Sequence, residues 1–260
     1  MEIAGGVAEE ELIELSQLLE RLYKEQSRLT PTAYLETHGT PAAIDAQVRT
    51  FLWYRQFIMA STSVLDWGCN HGPDSVLIRA WRGDDVQLYG CDRGSPSDYE
   101  AFRTFSQISY AALDSPFVLP YENDRFDVVI SSGVLEHVAS DMRSLPELYR
   151  IVRPAGRLVI TFLPNWLSLH ELRLRRSGEE GAHDRTYSRR RVKNLLLHFG
   201  FVPLSPVAYQ TGGWVRQIQA VFGRTGVARR LVDVARVIAP VHVLRASTLC
   251  VVAQKVEAMR

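Results

Sequence analysis

The sequence predicts an α/β fold: a doubly wound, seven-stranded, mostly parallel sheet with a helical N-terminal cap and a helical insertion near the C-terminus. Three observations predict it. Apolar runs near 63–67, 86–91, 108–113, 126–131, 156–163, 200–209 and 247–254 alternate with helical stretches, as in a parallel sheet covered on both faces. The first run ends in an acid and a glycine-bearing turn, Asp66-Trp67-Gly68-Cys69-Asn70-His71-Gly72, followed by a helix from about Asp74. The second run ends in Asp92, 20 residues after Gly72. An acid there, in a doubly wound sheet, is placed to accept hydrogen bonds from two ribose hydroxyls.

Residues 1–59 read as the cap. Leu12, Leu15, Leu19, Leu22 and Leu29 recur at helical spacing across 9–29, and Thr30-Pro31-Thr32 breaks that helix. A second helical segment, 41–59, ends in Phe51, Leu52, Trp53, Tyr54, Phe57 and Ile58. Such a cap could cover a ligand site, make a dimer contact or form a layer over the sheet. Residues 60–260 read as the main domain. In its first turn, Gly68 and Gly72 permit close backbone approach, and Asn70 is among the few other residues that tolerate positive φ. The spacing is not the dinucleotide fingerprint G-x-G-x-x-G. Pro73 falls in a helix's first turn, where proline is tolerated. By the same reasoning, Pro146 moves the expected start of the helix before strand five from Asp141 to near Leu145. Additions near 164–190 and 211–246 exceed a minimal fold, and long excursions of this kind are commonly functional.

Four blocks in order carry a resemblance. Asp66-Trp67-Gly68-Cys69-Asn70-His71-Gly72 resembles the D-x-G-x-G-x-G motif of class I S-adenosylmethionine (SAM) methyltransferases, with Asn70 for the middle glycine. Asp92 ends strand two. Leu119-Pro120-Tyr121-Glu122-Asn123-Asp124-Arg125-Phe126-Asp127-Val128-Val129-Ile130-Ser131-Ser132-Gly133-Val134-Leu135-Glu136-His137-Val138 is similar to the family's L-P-F-x-D-x-S-F-D-x-V-x-S-x-x-V-L-E-H-V stretch. Arg153-Pro154-Ala155-Gly156 resembles its R-P-G-G turn. The likeness is close over residues 60–165 and loose over 185–255. It implies strand order 3-2-1-4-5-7-6 with the seventh strand antiparallel, and SAM as cofactor with S-adenosylhomocysteine as product. It further implies that Asp66 faces the methionine amino group, that Gly68, Asn70 and Gly72 form the loop beneath the cofactor, and that Asp92 holds the ribose. Arg93 would lie along the adenine. Asp114, with its neighbour Ser115, would meet the adenine amino group, and Ser132 and Gly133 would present backbone to the cofactor.

Methyl transfer needs a bound cofactor, an aligned nucleophile and, for a hydroxyl acceptor, a proton acceptor, but no triad or metal. The candidate bases are His137, in the L-E-H stretch, and His183, in His183-Asp184-Arg185-Thr186-Tyr187. The latter run resembles an acceptor-side H-x-R-x-Y region of methyltransferases found with bacterial polysaccharide and lipid biosynthesis, in which Arg185 would hold an anionic group. Trp166 and Trp214 are candidate acceptor-facing aromatics or core packing. No His, Cys, Asp or Glu cluster has metal-ligand spacing, so no metal is expected; Glu136-His137 is the adjacent pair that could recruit a divalent ion with help from elsewhere.

The expected function is methyl transfer to a small-molecule or lipid/sugar-type acceptor, foremost at oxygen. An RNA methyltransferase and a non-catalytic SAM-binding protein are the alternatives. No D/N-P-P-Y/F string follows strand four and the net charge is +1, so nucleic acid is not the expected partner. Charge is nevertheless polarised: the first 30 residues carry three Lys/Arg against seven Asp/Glu, whereas 200–260 carry eight against two. Within 212–245, apolar positions at helical spacing interleave with Arg216, Arg224, Arg229, Arg230 and Arg236. That segment suits peripheral contact with an anionic membrane or a lid over the acceptor. Cys69, Cys91 and Cys250 are widely spaced and fit a reducing compartment. The acidic N-terminus is not a secretory signal, and no run approaches the ~20 apolar residues that span a bilayer. A cytoplasmic protein is expected, with homodimerisation open.

Overall fold

The computed structural model describes residues 7–60, 62–95, 99–115, 117–168, 171–172, 183, 185–210 and 247–256. The segment 211–246, including Trp214 and the basic stretch assigned to membrane or lid, lies outside the described residues.

Three helices come first: α1 (Val7–Leu29), α2 (Ala33–His38) and α3 (Pro41–Tyr54). Their starts follow from local chemistry. The Thr32 and Thr40 side chains accept the N–H groups of Leu35 and Ala43, satisfying donors that a helix N-terminus leaves open. The α/β body follows: β1 (Thr62–Trp67), α4 (Pro73–Arg82), β2 (Val86–Asp92), α5 (Glu100–Ser106), β3 (Ser109–Ala112), β4 (Phe126–Ser132), α6 (Asp141–Ile151) and β5 (Val152–Pro164). After it come α7 (Arg189–His198), β6 (Phe201–Pro203), β7 (Ala208–Gln210) and β8 (Thr248–Lys255).

The sheet order is β3-β2-β1-β4-β5-β8-β6, with β7 also paired to β8. Strands β1 to β5 pair in parallel, and β8 runs antiparallel to β5. This is the order expected from the sequence, with one difference. The run 200–209 forms two short strands: β6 pairs with the end of β8 (Phe201↔Lys255) and β7 with its start (Ala208↔Cys250). Pro206 lies between them and has no N–H to offer the ladder.

Strand alternation divides the core. Val64, Val128 and Val159 face one side, packed with Leu19, Val48, Phe51, Val76 and Ile78, so the N-terminal helices form a layer of the domain's own core. Leu65, Val129 and Leu158 face the other side with Leu145, Leu148, Val192 and Leu196. Each fully buried large apolar side chain contributes about 1.5–3 kcal/mol.

The expected start of the helix before β5 needs correction. It begins at Asp141, and Pro146 lies inside it. Pro146 deprives only the Met142 carbonyl, in the helix's first turn, of its helical donor. No helix among the described residues is long and apolar enough to cross a membrane.

Candidate active site

The order reverses at β1, which lies between β2 and β4, so a crevice opens at the C-terminal ends of these strands. The loop after β1 is sewn to the end of β2. Gly68 N–H donates to the Cys91 carbonyl (2.8 Å), and Asn70 N–H donates to Asp92 Oδ2 (2.7 Å). Asn70 takes φ +43° and Gly72 φ +80°, and Gly72 caps α4. A Cβ on Gly68 would meet the Val134 methyls at 2.6 Å, so the loop after β4 closes directly against this turn. Gly133, at φ +65°, begins that second loop, and Ser132 Oγ accepts a bond from Thr161 Oγ1 (3.0 Å).

Acids cluster at the crevice. Asp66 is 3% exposed and accepts from Ser75 Oγ (2.7 Å); Asp74 is 2% exposed and accepts from the Tyr54 hydroxyl (2.5 Å). Burial holds both carboxyls above the usual carboxylate range, and Asp74 raises Asp66 further. Asp92 accepts Asn70 N–H on one oxygen and Arg93 N–H (2.6 Å) on the other, leaving lone pairs on both for hydroxyl donors.

SAM carries a sulfonium, an ammonium, a carboxylate and a ribose diol. The residues present fit it. Buried carboxyls at Asp66 and Asp74 gain from a cation, the start of α4 suits a carboxylate, and Asp92 suits a diol. Three of the expected contacts are less defined. Arg93 and Asp114 are exposed, and Ser115 Oγ accepts the Phe117 N–H within its own turn. The loop after β3 is nevertheless held beside Asp92, whose carbonyl takes the Leu113 N–H (2.7 Å).

The N-terminal helices bring to the crevice side chains that the sequence did not single out. Tyr34 of α2 lies beside Asp92 and Asn70 and stacks on His38 (centroids 3.9 Å apart). His71, from the turn itself, is 3% exposed, and its Nε2 shares a hydrogen bond with the Tyr23 hydroxyl of α1 (2.5 Å). Burial, then His38, push the His71 imidazole down to about 3.

The two expected bases meet. The His137 and His183 rings are 5.4 Å apart, although 46 positions separate them in the chain. The staple is Arg185, whose guanidinium donates to the carbonyls of Leu135 (2.9 Å), Val138 (2.8 Å) and Ala139 (3.1 Å). Tyr187 is fully buried, with its hydroxyl on the Leu135 carbonyl and Asp141. This corrects the reading of Arg185 as an anion holder: its donors are committed to the loop after β4. Asp184 lies outside the described residues; among those described, Glu171, 4% exposed, pairs with His183, its Oε1 2.9 Å from Nδ1. Glu136 is 6% exposed, and burial pushes its carboxyl up to about 8, with Arg185 opposing. A Cβ on Gly133 would sit 3.8 Å from Glu136 Oε1, which places the cluster next to the cofactor loop. Trp166, 53% exposed, is not core packing.

The "Methyltransferase domain" family model matches residues 14–205. A demethylmenaquinone methyltransferase from Symbiobacterium thermophilum is 27% identical over 123 residues, which cover 41% of this chain and 47% of that protein. A malonyl-[acyl-carrier protein] O-methyltransferase from Salmonella typhimurium is 32% identical over 141 residues, covering 54% of this chain and 51% of that protein. The matched segments thus span about half the length of these relatives. The crystal structure of a putative sarcosine dimethylglycine methyltransferase from Galdieria sulphuraria shares the fold, with TM-score 0.56 and 16% identity, covering 84% of this chain and 88% of the other.

Proposed function

Because this chain belongs to the methyltransferase-domain family of class I SAM-dependent methyltransferases, we propose that it transfers a methyl group from SAM to an oxygen of a small-molecule or lipid/sugar-type acceptor. The observation that carries the reading is the convergence of His137, His183 and Glu136 on the loop beside Gly133, next to the acid-lined crevice. Two relatives support an oxygen or quinone-type acceptor by name, a malonyl-[acyl-carrier protein] O-methyltransferase and a demethylmenaquinone methyltransferase.

Bound SAM would supply an electrophilic methyl on a sulfonium. The chain's own residues would do the rest. Asp66 and Asp92 would fix the cofactor's amino and ribose ends, and the Gly68–Gly72 loop would set its height above the sheet. With His183 Nδ1 2.9 Å from Glu171 Oε1, an Nδ1–H donated to that carboxylate would leave a lone pair on Nε2. Nε2 would take the acceptor's hydroxyl proton, and Glu171 would stabilise the resulting imidazolium.

His183→Asn tests this. A general base is worth roughly 10²–10⁴-fold, so turnover should fall at least ~100-fold while SAM affinity stays unchanged. Full turnover in His183→Asn would remove the base from the mechanism.

A further inference from the structure

We propose that Glu136, His137 and His183 form a binding site for a divalent transition-metal ion of the zinc class, open on the side that receives the acceptor oxygen. The sequence offers no ligand spacing, because Glu136-His137 and His183 lie on separate segments; the Arg185 and Tyr187 staples bring them together. One ligand atom from each residue lies within 4.8 Å of the other two. Relaxation of about an ångström would bring such a trio around an ion with bonds of about 2.0–2.2 Å.

Two further observations point to an ion. Glu136 Oε2 is buried and has no hydrogen-bond partner among the described residues. A buried carboxyl oxygen left so is costly, and a cation is one partner that removes the cost. The second is the Glu171–His183 pair. Metal-bound histidines characteristically give their other N–H to a carboxylate, which fixes the ring and raises its basicity. Here His183 Nδ1 lies 2.9 Å from Glu171 Oε1, the spacing of such a pair.

A carboxylate with two imidazoles matches the donor set of open zinc sites, which keep one position for water or substrate. The chemistry fits an acceptor hydroxyl. Bound to the ion, its O–H ionises more readily, and the proton leaves to solvent while the alkoxide stays on the metal. In that state His183 serves as ligand, and the imidazole route belongs to the ion-free protein. The acceptor role rests on the methyltransferase reading; ion binding does not.

The test is binding, read without activity. Protein treated with EDTA and dialysed is titrated with Zn²⁺ by calorimetry, and with Co²⁺ by its visible d–d absorption. One ion per chain and a four-coordinate Co²⁺ spectrum are expected. Glu136→Gln and His183→Asn should each weaken binding at least tenfold, and Glu171→Gln, which removes a supporting carboxylate, about 10–100-fold. His198→Asn, on α7, should leave it unchanged, and circular dichroism checks the fold of each variant. Absence of stoichiometric binding to the folded wild type overturns the proposal, as does binding that survives both Glu136→Gln and His183→Asn. SAM titration of the EDTA-treated protein is scored separately, so loss of the ion site and loss of the methyltransferase reading give different results.

Discussion

Acid should unlock the N-terminal helices through His71. The imidazole sits in the loop after β1, enclosed by Tyr23, Tyr34, His38, Tyr99 and Phe102. Burial and His38 lower it from its ordinary 6.5 to about 3. As pH falls below 6.5, the unfolded chain binds a proton that the folded chain refuses until near pH 3. The stability present above pH 6.5 is therefore lost progressively across that window, up to roughly 4–5 kcal/mol in all and about 2–3 kcal/mol by pH 4.5. Asp66 and Asp74, raised by burial, act in the opposite sense as pH changes, because their folded forms bind protons more readily than the unfolded chain. A variant removes that background. His71→Gln keeps an acceptor for the Tyr23 hydroxyl but does not titrate. Urea unfolding at pH 7.5 and pH 4.5 gives the loss for each protein. Wild type should lose about 2–3 kcal/mol more than His71→Gln. Losses equal to within about 0.5 kcal/mol would refute the buried, neutral imidazole and the clamp it implies.

Two other substitutions probe the crevice. Asp92→Ala removes the carboxylate that holds Asn70 N–H and would hold the ribose, so SAM affinity should fall by roughly 1–3 kcal/mol with the fold intact; calorimetry reads it. Gly68→Ala places a Cβ 2.6 Å from the Val134 methyls at φ +69°, and should cost about 1–3 kcal/mol in urea unfolding; a neutral effect would mean the two loops do not close as described.

The parts of the molecule that local chemistry dictates were legible in the sequence. The turn after β1 follows from its glycines and from asparagine's tolerance of positive φ, and Asn70 does adopt φ +43°. The strand order is what the resemblance of four blocks to class I methyltransferases implies, and the sheet has that order. Helix α2 escaped because six residues are too few for a periodic signal, although Thr32 caps it. The run 200–209 read as one strand because its apolar pattern is continuous across the proline that interrupts the ladder. Long-range partners were the least legible. Nothing local marks Glu171 as the acid on His183, or Tyr54 as the donor to Asp74, since each depends on how separate segments pack. In the H-D-R-x-Y run, Arg185 reads as an anion holder, whereas its guanidinium binds the carbonyls of the loop after β4. Arg185 and Tyr187 build the scaffold, and His183 is the residue they deliver.

The central claim is that the crevice at the ends of β1, β2 and β4 is built for SAM. The most direct measurement is calorimetric titration of the wild-type protein with SAM and S-adenosylhomocysteine, with NAD as the control nucleotide. One site of micromolar affinity is expected for both adenosyl ligands, with no comparable binding of NAD, because the loop lacks the dinucleotide glycine spacing. No binding of either adenosyl ligand to folded protein, or tighter binding of NAD, would contradict it.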